Sequence, residues 1–237
     1  MIQERKRFIA IAGNMGVGKS ALTQLLAERL GWTPYYEAVA ENPYIADFYK
    51  DMNAWSFQSQ VFFLSRRLKD HREILGHPTS VIQDRSIYED AEIFARNLYL
   101  QGSMPERDWQ TYWGLYRALC EVLSPPDLVI ILQASVPTLV RRIALRGRDY
   151  EQQVSREYLE QLNRLYEEWA DGFDLCPKLV ISVDEMDFVK HSAHLEQIST
   201  WLIYKALPEL FPSLPSLTKR RARIKKVEEQ AGLPGVD

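Results

Sequence analysis

Short apolar runs alternate along this 237-residue chain with longer stretches whose apolar positions recur every three or four residues. Runs of the first kind read as buried strands, and the second as amphipathic helices. "FIAIA" (Phe8–Ala12) predicts a strand buried on both faces, then a glycine turn and a helix closing near Leu30-Gly31. "PYYE" predicts a short second strand ending at Glu37. "AWSFQSQVFFLSRRLKDHREIL" predicts a long helix, with Trp55, Val61, Leu64 and Leu68 near helical spacing and Gly76 ending it. "SVIQD" predicts a third strand ending at Asp84, followed by a helix through Leu100 that Gly102 and Pro105 break. A helix over Glu106–Leu123 follows, and the double proline of "SPPDLVIIL" introduces a fourth strand. Pro137 opens a helix that stops at Gly147, Ser155 caps another through "SREYLEQLNRLYEEWADGF", and "KLVISV" predicts a fifth strand. A last helix is expected over roughly Val189–Ala206.

Strands alternating with helices imply an α/β fold, a five-stranded parallel sheet with helices on both faces. Residues 1–211 read as one domain, and 212–237 as a flexible basic tail. From Lys219 onward that tail holds six Lys and Arg against three Asp and Glu.

Composition narrows the classes. The hydrophobic share of 46% and charged share of 26% fit a soluble globular protein. A net charge of −3 gives no argument for nucleic acid or an anionic membrane as partner. The uncharged apolar run Leu128 to Val140 is too short to span a bilayer. Cys120 and Cys176 form no short-range motif, which fits structural thiols in a reducing, cytoplasmic compartment.

The chemistry begins with "GNMGVGKS": Gly13, Asn14, Met15, Gly16, Val17, Gly18, Lys19 and Ser20. This is the G-x-x-x-x-G-K-S phosphate loop, between a predicted strand and a predicted helix as it must be. The glycines let backbone N–H groups turn toward phosphate oxygens, Lys19 reaches the outer phosphates, and the Ser20 hydroxyl ligates Mg²⁺. The fold class is therefore that of the P-loop NTPases, and a nucleoside triphosphate is the expected ligand. No N-K-x-D guanine-reading motif is present, which weighs against a switch GTPase, and the chain is short for a motor.

Two more clusters suit phosphoryl transfer. In "VRRIALRGRDYEQQ", Arg142 and Arg146 share a helix face and Arg148 follows Gly147, as in an arginine lid. Converging guanidiniums match the charge spread over a transferring phosphoryl group. Asp84 ends a strand on the sheet edge that carries the phosphate loop, where an acid can hold Mg²⁺.

The sequence resembles the deoxyribonucleoside kinases of the deoxycytidine, deoxyguanosine and deoxyadenosine kinase type. The pieces that carry the likeness are "GNMGVGKS", "YEAV", "WSFQSQ", "DRSIYEDAEIFA", "LQAS" and "RIALRGRDYEQQ" with "EYLEQL", over about Phe8 to Leu207. The resemblance implies transfer of the ATP γ-phosphoryl to the 5′-hydroxyl of a deoxynucleoside, a purine one by preference, in nucleotide salvage. It gives Glu37 the role of base, and Arg85 that of orienting this carboxylate and steadying the phosphoryl. It places Gln58 and Asp90 at the nucleobase, Tyr49 and Glu151 at the sugar 3′-hydroxyl, and Asp84 at the metal. Phe62 and Phe94, each one turn from a base-reading residue, are candidate walls for the base. Where relatives carry a second base-reading arginine, the helix is expected to offer Ser65, with Arg66 one residue further. Ala38 replaces a usual proline, Tyr150 a more usual acidic or polar lid residue, and the tail has no counterpart. A homodimer through the helices around Gly102 is also implied.

Two other readings compete. One is a nucleoside monophosphate kinase similar to thymidylate kinase, which would need extra basic groups for the acceptor phosphate. Up to Arg66 the stretch "YEAVAENPYIADFYKDMNAWSFQSQ" offers only Lys50. The other is a non-catalytic nucleotide-binding relative, against which stand Lys19, Ser20, Glu37, Asp84 and the lid arginines. Glu41, four residues beyond Glu37, is expected to serve the start of the next helix through its dipole.

Overall fold

The computed structural model describes residues 6–37, 41–148 and 154–202. Ala38, Tyr150, Glu151, the predicted end of the last helix and the basic tail lie outside these residues.

Five parallel strands form one sheet in the order β2-β3-β1-β4-β5. They are β1 (Phe8–Gly13), β2 (Thr33–Tyr35), β3 (Val81–Asp84), β4 (Leu128–Gln133) and β5 (Lys178–Ser182). The central strand β1 is buried along its whole length, which is why its sequence is apolar without alternation. Side chains of alternate residues leave the sheet on opposite faces. Phe8, Ala10 and Ala12 pack against α3 (Met52–Gly76), α6 (Glu106–Val122) and α8 (Arg156–Gly172). Ile9 and Ile11 pack against α1 (Lys19–Leu30), α7 (Val136–Arg146) and α9 (Ser192–Trp201).

After β3, one helical stretch changes character twice. A short α4 (Ile87–Glu89) leads into a π-helical segment, Asp90–Ala95, and then α5 (Arg96–Leu100). Ser86 and Glu89 form a capping box at its start, each side chain bonding the other's backbone N–H. Such π segments often mark functional sites.

The predicted order of strands holds, with two shifts of boundary. The strand β2 stops at Tyr35, so Glu37 lies two residues past its end. A short α2 (Ile45–Lys50) precedes α3, and Asp51 caps α3 by accepting the Ala54 N–H. The register sets Ile11 beside Asp84 and Gly13 beside Leu132, so the C-terminal ends of β1, β3 and β4 open on one edge. Ligands of open α/β sheets bind at that edge.

Candidate active site

The phosphate loop turns tightly off β1. Gly13 and Gly18 have φ of 142° and 109°, which side chains rarely adopt. A Cβ on Gly13 would stand 2.6 Å from the Leu132 carbonyl oxygen, and one on Gly18 2.9 Å from the Phe188 ring. Met15, Gly16, Gly18, Lys19 and Ser20 face a cavity of about 800 Å³. Gly13, Asn14 and Val17, also expected at the nucleotide, are outside its lining. The Gly13 N–H is given to the buried Glu89 carboxylate at 3.1 Å, and the Asn14 side chain turns away to α8.

Lys19 is buried, and its ammonium donates to the Gly13 and Asn14 carbonyls at 2.8 and 3.1 Å. Burial pulls its pKa down to about 8; the Arg85 charge adds to this, and Asp84, Glu89 and Glu37 oppose it. Ser20 donates to Asp84 Oδ2 at 2.5 Å. The other Asp84 oxygen is buried without a hydrogen-bond partner among the described residues. A hydroxyl and a carboxylate with a spare buried oxygen, beside a phosphate loop, fit the limited protein ligation that Mg²⁺ takes when phosphates complete its shell.

Glu37 reaches the same edge from the loop after β2. Arg85 Nε stands 2.8 Å from its Oε1, and Arg67 Nη2 donates to the same oxygen at 3.4 Å. Burial alone would raise this carboxyl; the charges of Arg85, Arg67 and Lys19 outweigh it and hold the pKa below the ordinary value. Arg85 has a φ of 68°, the only positive value at a non-glycine among the described residues. Its guanidinium lies 4.1 Å over the Phe94 ring. Backbone strain of this kind is characteristic of residues whose placement matters for function.

Arg67, on α3, donates through Nε to Asp90 at 2.9 Å and through Nη1 to the Asp84 carbonyl at 3.2 Å. This corrects the expected Ser65 and Arg66. Ser65 is exposed, and Arg66 pairs outward with Glu41 at 2.7 Å. Glu41 is thus bound on the outer side of α3, not at the site. Gln58 is corrected too: it is exposed, whereas Gln60 is buried, lines the cavity and keeps its Oε1 unpaired. Two residues along a helix turn a side chain by about 200°. Phe63, one residue past Phe62, lines the cavity together with Phe94. The sequence signal lay in the phase of Leu64, the fully buried apolar anchor of this stretch: Gln60 and Arg67 are one turn on either side. Val61 and Leu68, three before and four after Leu64, share its face and are half-buried.

Tyr49 and Asp90 line the cavity as expected. Tyr158, at the start of α8 and within "EYLEQL", lines it as well, a position to which sequence alone assigns no role. Arg142, Arg146 and Arg148 all line the same cavity. Arg142 is committed to carbonyls, donating to Val17 at 2.9 Å, Val183 at 2.8 Å and Met186 at 3.0 Å. It clamps the phosphate loop to the segment after β5 instead of projecting as a lid residue. Glu151 lies outside the described residues.

At the end holding Glu37 and Asp90, two carboxylates are matched by two guanidiniums, Arg85 and Arg67. That balance suits a neutral acceptor, not one that brings its own phosphate.

Comparison with known proteins agrees. The deoxynucleoside kinase family model matches residues 9–204. The deoxyadenosine/deoxycytidine kinase of Bacillus subtilis is 39% identical, the match covering 82% of this chain and 90% of that protein. The deoxyguanosine kinase of Lactobacillus johnsonii is 34% identical, with 83% and 91% covered. Among solved structures, deoxyadenosine kinase from M. mycoides with bound dATP superposes with a TM-score of 0.74 at 32% identity, covering 83% of this chain and 98% of that one. Phosphate loop, paired carboxylate and family match converge, and the chain belongs to the deoxynucleoside kinase family.

Proposed function

We propose that this deoxynucleoside kinase, an ATP-dependent phosphotransferase, acts on purine deoxynucleosides with Mg²⁺-ATP as donor and Glu37 as the base. The observation that carries the assignment of the base is the Glu37 carboxylate itself. It is ionised, fixed by Arg85 at 2.8 Å, and shares a cavity with the phosphate loop. A carboxylate so placed can take the proton of a 5′-hydroxyl as that oxygen attacks phosphorus. Catalysis is otherwise positioning and charge neutralisation. Lys19, Arg146 and Arg148 face the transferring phosphoryl, and Arg85 steadies it beside the base. Ser20 and Asp84 would hold the Mg²⁺, which neutralises charge on the phosphate oxygens.

Gln60 and the Arg67–Asp90 pair would read the nucleobase edge, because an amide can donate and accept together. Phe63 and Phe94 would wall the ring, and Tyr49, with Glu151, would hold the sugar 3′-hydroxyl. The purine preference rests on the relatives named above, a deoxyadenosine/deoxycytidine kinase, a deoxyguanosine kinase and a deoxyadenosine kinase by name, each with a purine deoxynucleoside in its name. Cys120 and Cys176 are both free thiols, which supports action in the reducing cytoplasm. A homodimer through α5 and α6 is supported by large apolar residues exposed on them, Leu100, Leu115 and Val122. The deciding experiment is kcat/KM for the four deoxynucleosides and their monophosphates with Mg²⁺-ATP. Deoxyadenosine or deoxyguanosine should lead. Preference for thymidine, or for any monophosphate, would refute the proposal.

A further inference from the structure

One face of α8 grips the start of the phosphate loop. Leu159, Asn163 and Tyr166 follow at helical spacing, so their groups emerge on one side. The Asn14 amide donates to the Leu159 carbonyl at 3.1 Å and to Asn163 Oδ1 at 2.7 Å, while its own oxygen accepts the Met15 N–H at 2.7 Å. Asn163 in turn donates to the Ala134 carbonyl, just past β4, at 2.9 Å. Three residues on, the Tyr166 hydroxyl donates at 2.8 Å to Glu89 Oε1, the same oxygen that accepts the Gly13 N–H. Asn14 and Glu89 are 2% and 0% exposed, so water does not stand in for a lost partner. The helix that makes these bonds also carries Tyr158 into the cavity that Glu37, Asp90 and the phosphate loop line.

Neither Asn163 nor Tyr166 lines the cavity, and the reaction as described gives them no task. Yet they hold the two residues from which the phosphate-binding backbone departs. A displacement of α8 therefore displaces the phosphate loop. We propose that Asn163 is a positioning residue which, with Tyr166, makes α8 the link between the two substrate sites, so that a nucleoside seated against Tyr158 tightens binding of the donor. The proposal rests on reading the Tyr158 end as the acceptor site. By linkage, the donor tightens the nucleoside by the same factor.

The test measures the Kd of a non-hydrolysable ATP analogue with Mg²⁺, by calorimetry, with and without saturating deoxyadenosine. The ratio of the two values is the coupling. In the native protein we expect a ratio of about five or more, within the usual range for coupled sites. Asn163→Leu and Tyr166→Phe should each bring it within about twofold of one, with ATP KM rising more than nucleoside KM. Leu162→Ala supplies the control, since Leu162 is buried in the core beside these residues but bonds nothing on the loop. It should lower Tm and leave the ratio unchanged. Should Asn163→Leu not fold, Tyr166→Phe carries the test alone, losing one hydroxyl with its shape preserved. A native ratio of one, a ratio intact in Tyr166→Phe, or one lost equally in Leu162→Ala overturns the proposal. If deoxyadenosine is normally phosphorylated and only the ratio fails, the link alone is refuted. If no deoxynucleoside is phosphorylated or alters donor binding, the reading of the acceptor site fails with it.

Discussion

Replacing Glu37 by glutamine keeps shape and removes the charge. Its consequences divide between rate and stability. A positioned general base contributes about 10²- to 10⁴-fold. In Glu37→Gln, kcat should fall by about that factor, while ATP KM stays within about threefold, because the Glu37 carboxylate pairs with Arg85 and Arg67 and not with the lid arginines. The stability effect follows from what the carboxylate leaves behind. Arg67 keeps Asp90 at 2.9 Å, but Arg85, whose side chain is 5% exposed, loses the carboxylate standing 2.8 Å away. Removing one partner of a fully buried pair costs about 3–5 kcal/mol. The Glu37 side chain is 20% exposed, and a glutamine oxygen still faces the guanidinium, so about 1–2 kcal/mol is a fair expectation. For a domain of this size that is about 2–8 °C in Tm. The pH profile checks the same physics. The folded pKa of Glu37 is depressed, so its contribution to stability is present above the unfolded value and lost as pH falls through the folded one. For the same reason the acid limb of kcat/KM should lie below the ordinary glutamate value of 4.5, leaving this group ionised throughout the neutral range. ADP release at saturating ATP and deoxyadenosine supplies the rates, and calorimetric scanning the Tm. A kcat within tenfold of the native value would refute Glu37 as base.

Other substitutions probe separate features. Gln60→Leu should raise nucleoside KM at least about tenfold with ATP KM unchanged, as expected when a buried base-edge partner is lost, whereas Gln58→Leu should stay within about twofold on both. Steady-state kinetics on the two variants side by side checks this. Arg85→Ala and Arg85→Gly should both lose about 10³-fold or more in kcat. Of the two, the glycine variant should be the more stable by about 1 kcal/mol in urea unfolding, because φ at this position is 68° and only glycine adopts it without cost. His71 is buried, which lowers its pKa from 6.5 despite the 2.8 Å contact with the Ser124 carbonyl. Its folded pKa being depressed, stability is full above 6.5 and falls below it, by up to about 1.4 kcal/mol per pH unit until the folded value is passed. Tm between pH 7.5 and 5.5 should therefore fall less steeply in His71→Gln, which keeps a donor for Ser124.

The sheet was legible because its code is short. Five apolar runs, each closed by glycine, proline or a capping residue, admit little but parallel strands under helices. The phosphate loop was legible because its chemistry needs those residue types at that spacing. What the motif left open was which side chains of α3 turn inward. Val61, Leu64 and Leu68 share one face and Gln60 and Arg67 flank it, whereas the resemblance pointed to Gln58, and through it to Phe62, and to Ser65 with Arg66. A helix that lines a polar cavity buries glutamine and arginine on the face where a periodicity argument looks for leucine. Arg142 was misread for a different reason. A charged residue close to a phosphate site reads as a ligand, but its bonds to three carbonyls depend on segments some 41 to 125 residues distant, which no local pattern encodes.

The stretch Glu89-Asp90-Ala91-Glu92 carries the same lesson further. Three acids in four positions look like a solvated helix face. Glu89 and Asp90 are buried and Glu92 half-buried instead, and burial raises the pKa of each. Each has its own partners: Glu89 the Gly13 N–H and Tyr166, Asp90 the Arg67 guanidinium, Glu92 the Tyr116 hydroxyl and the Trp169 ring N–H. Buried carboxylates, even well paired, add little net stability over apolar residues of similar size. Their presence here is better explained by what they fix. Glu89 sets the phosphate loop, Asp90 sets Arg67 beside Glu37, and Glu92 ties this helix to α6 and α8. The π-helical segment from Asp90 to Ala95 widens the turn at which these side chains diverge. Stability is thereby given up to hold donor loop, acceptor pocket and α8 in one geometry.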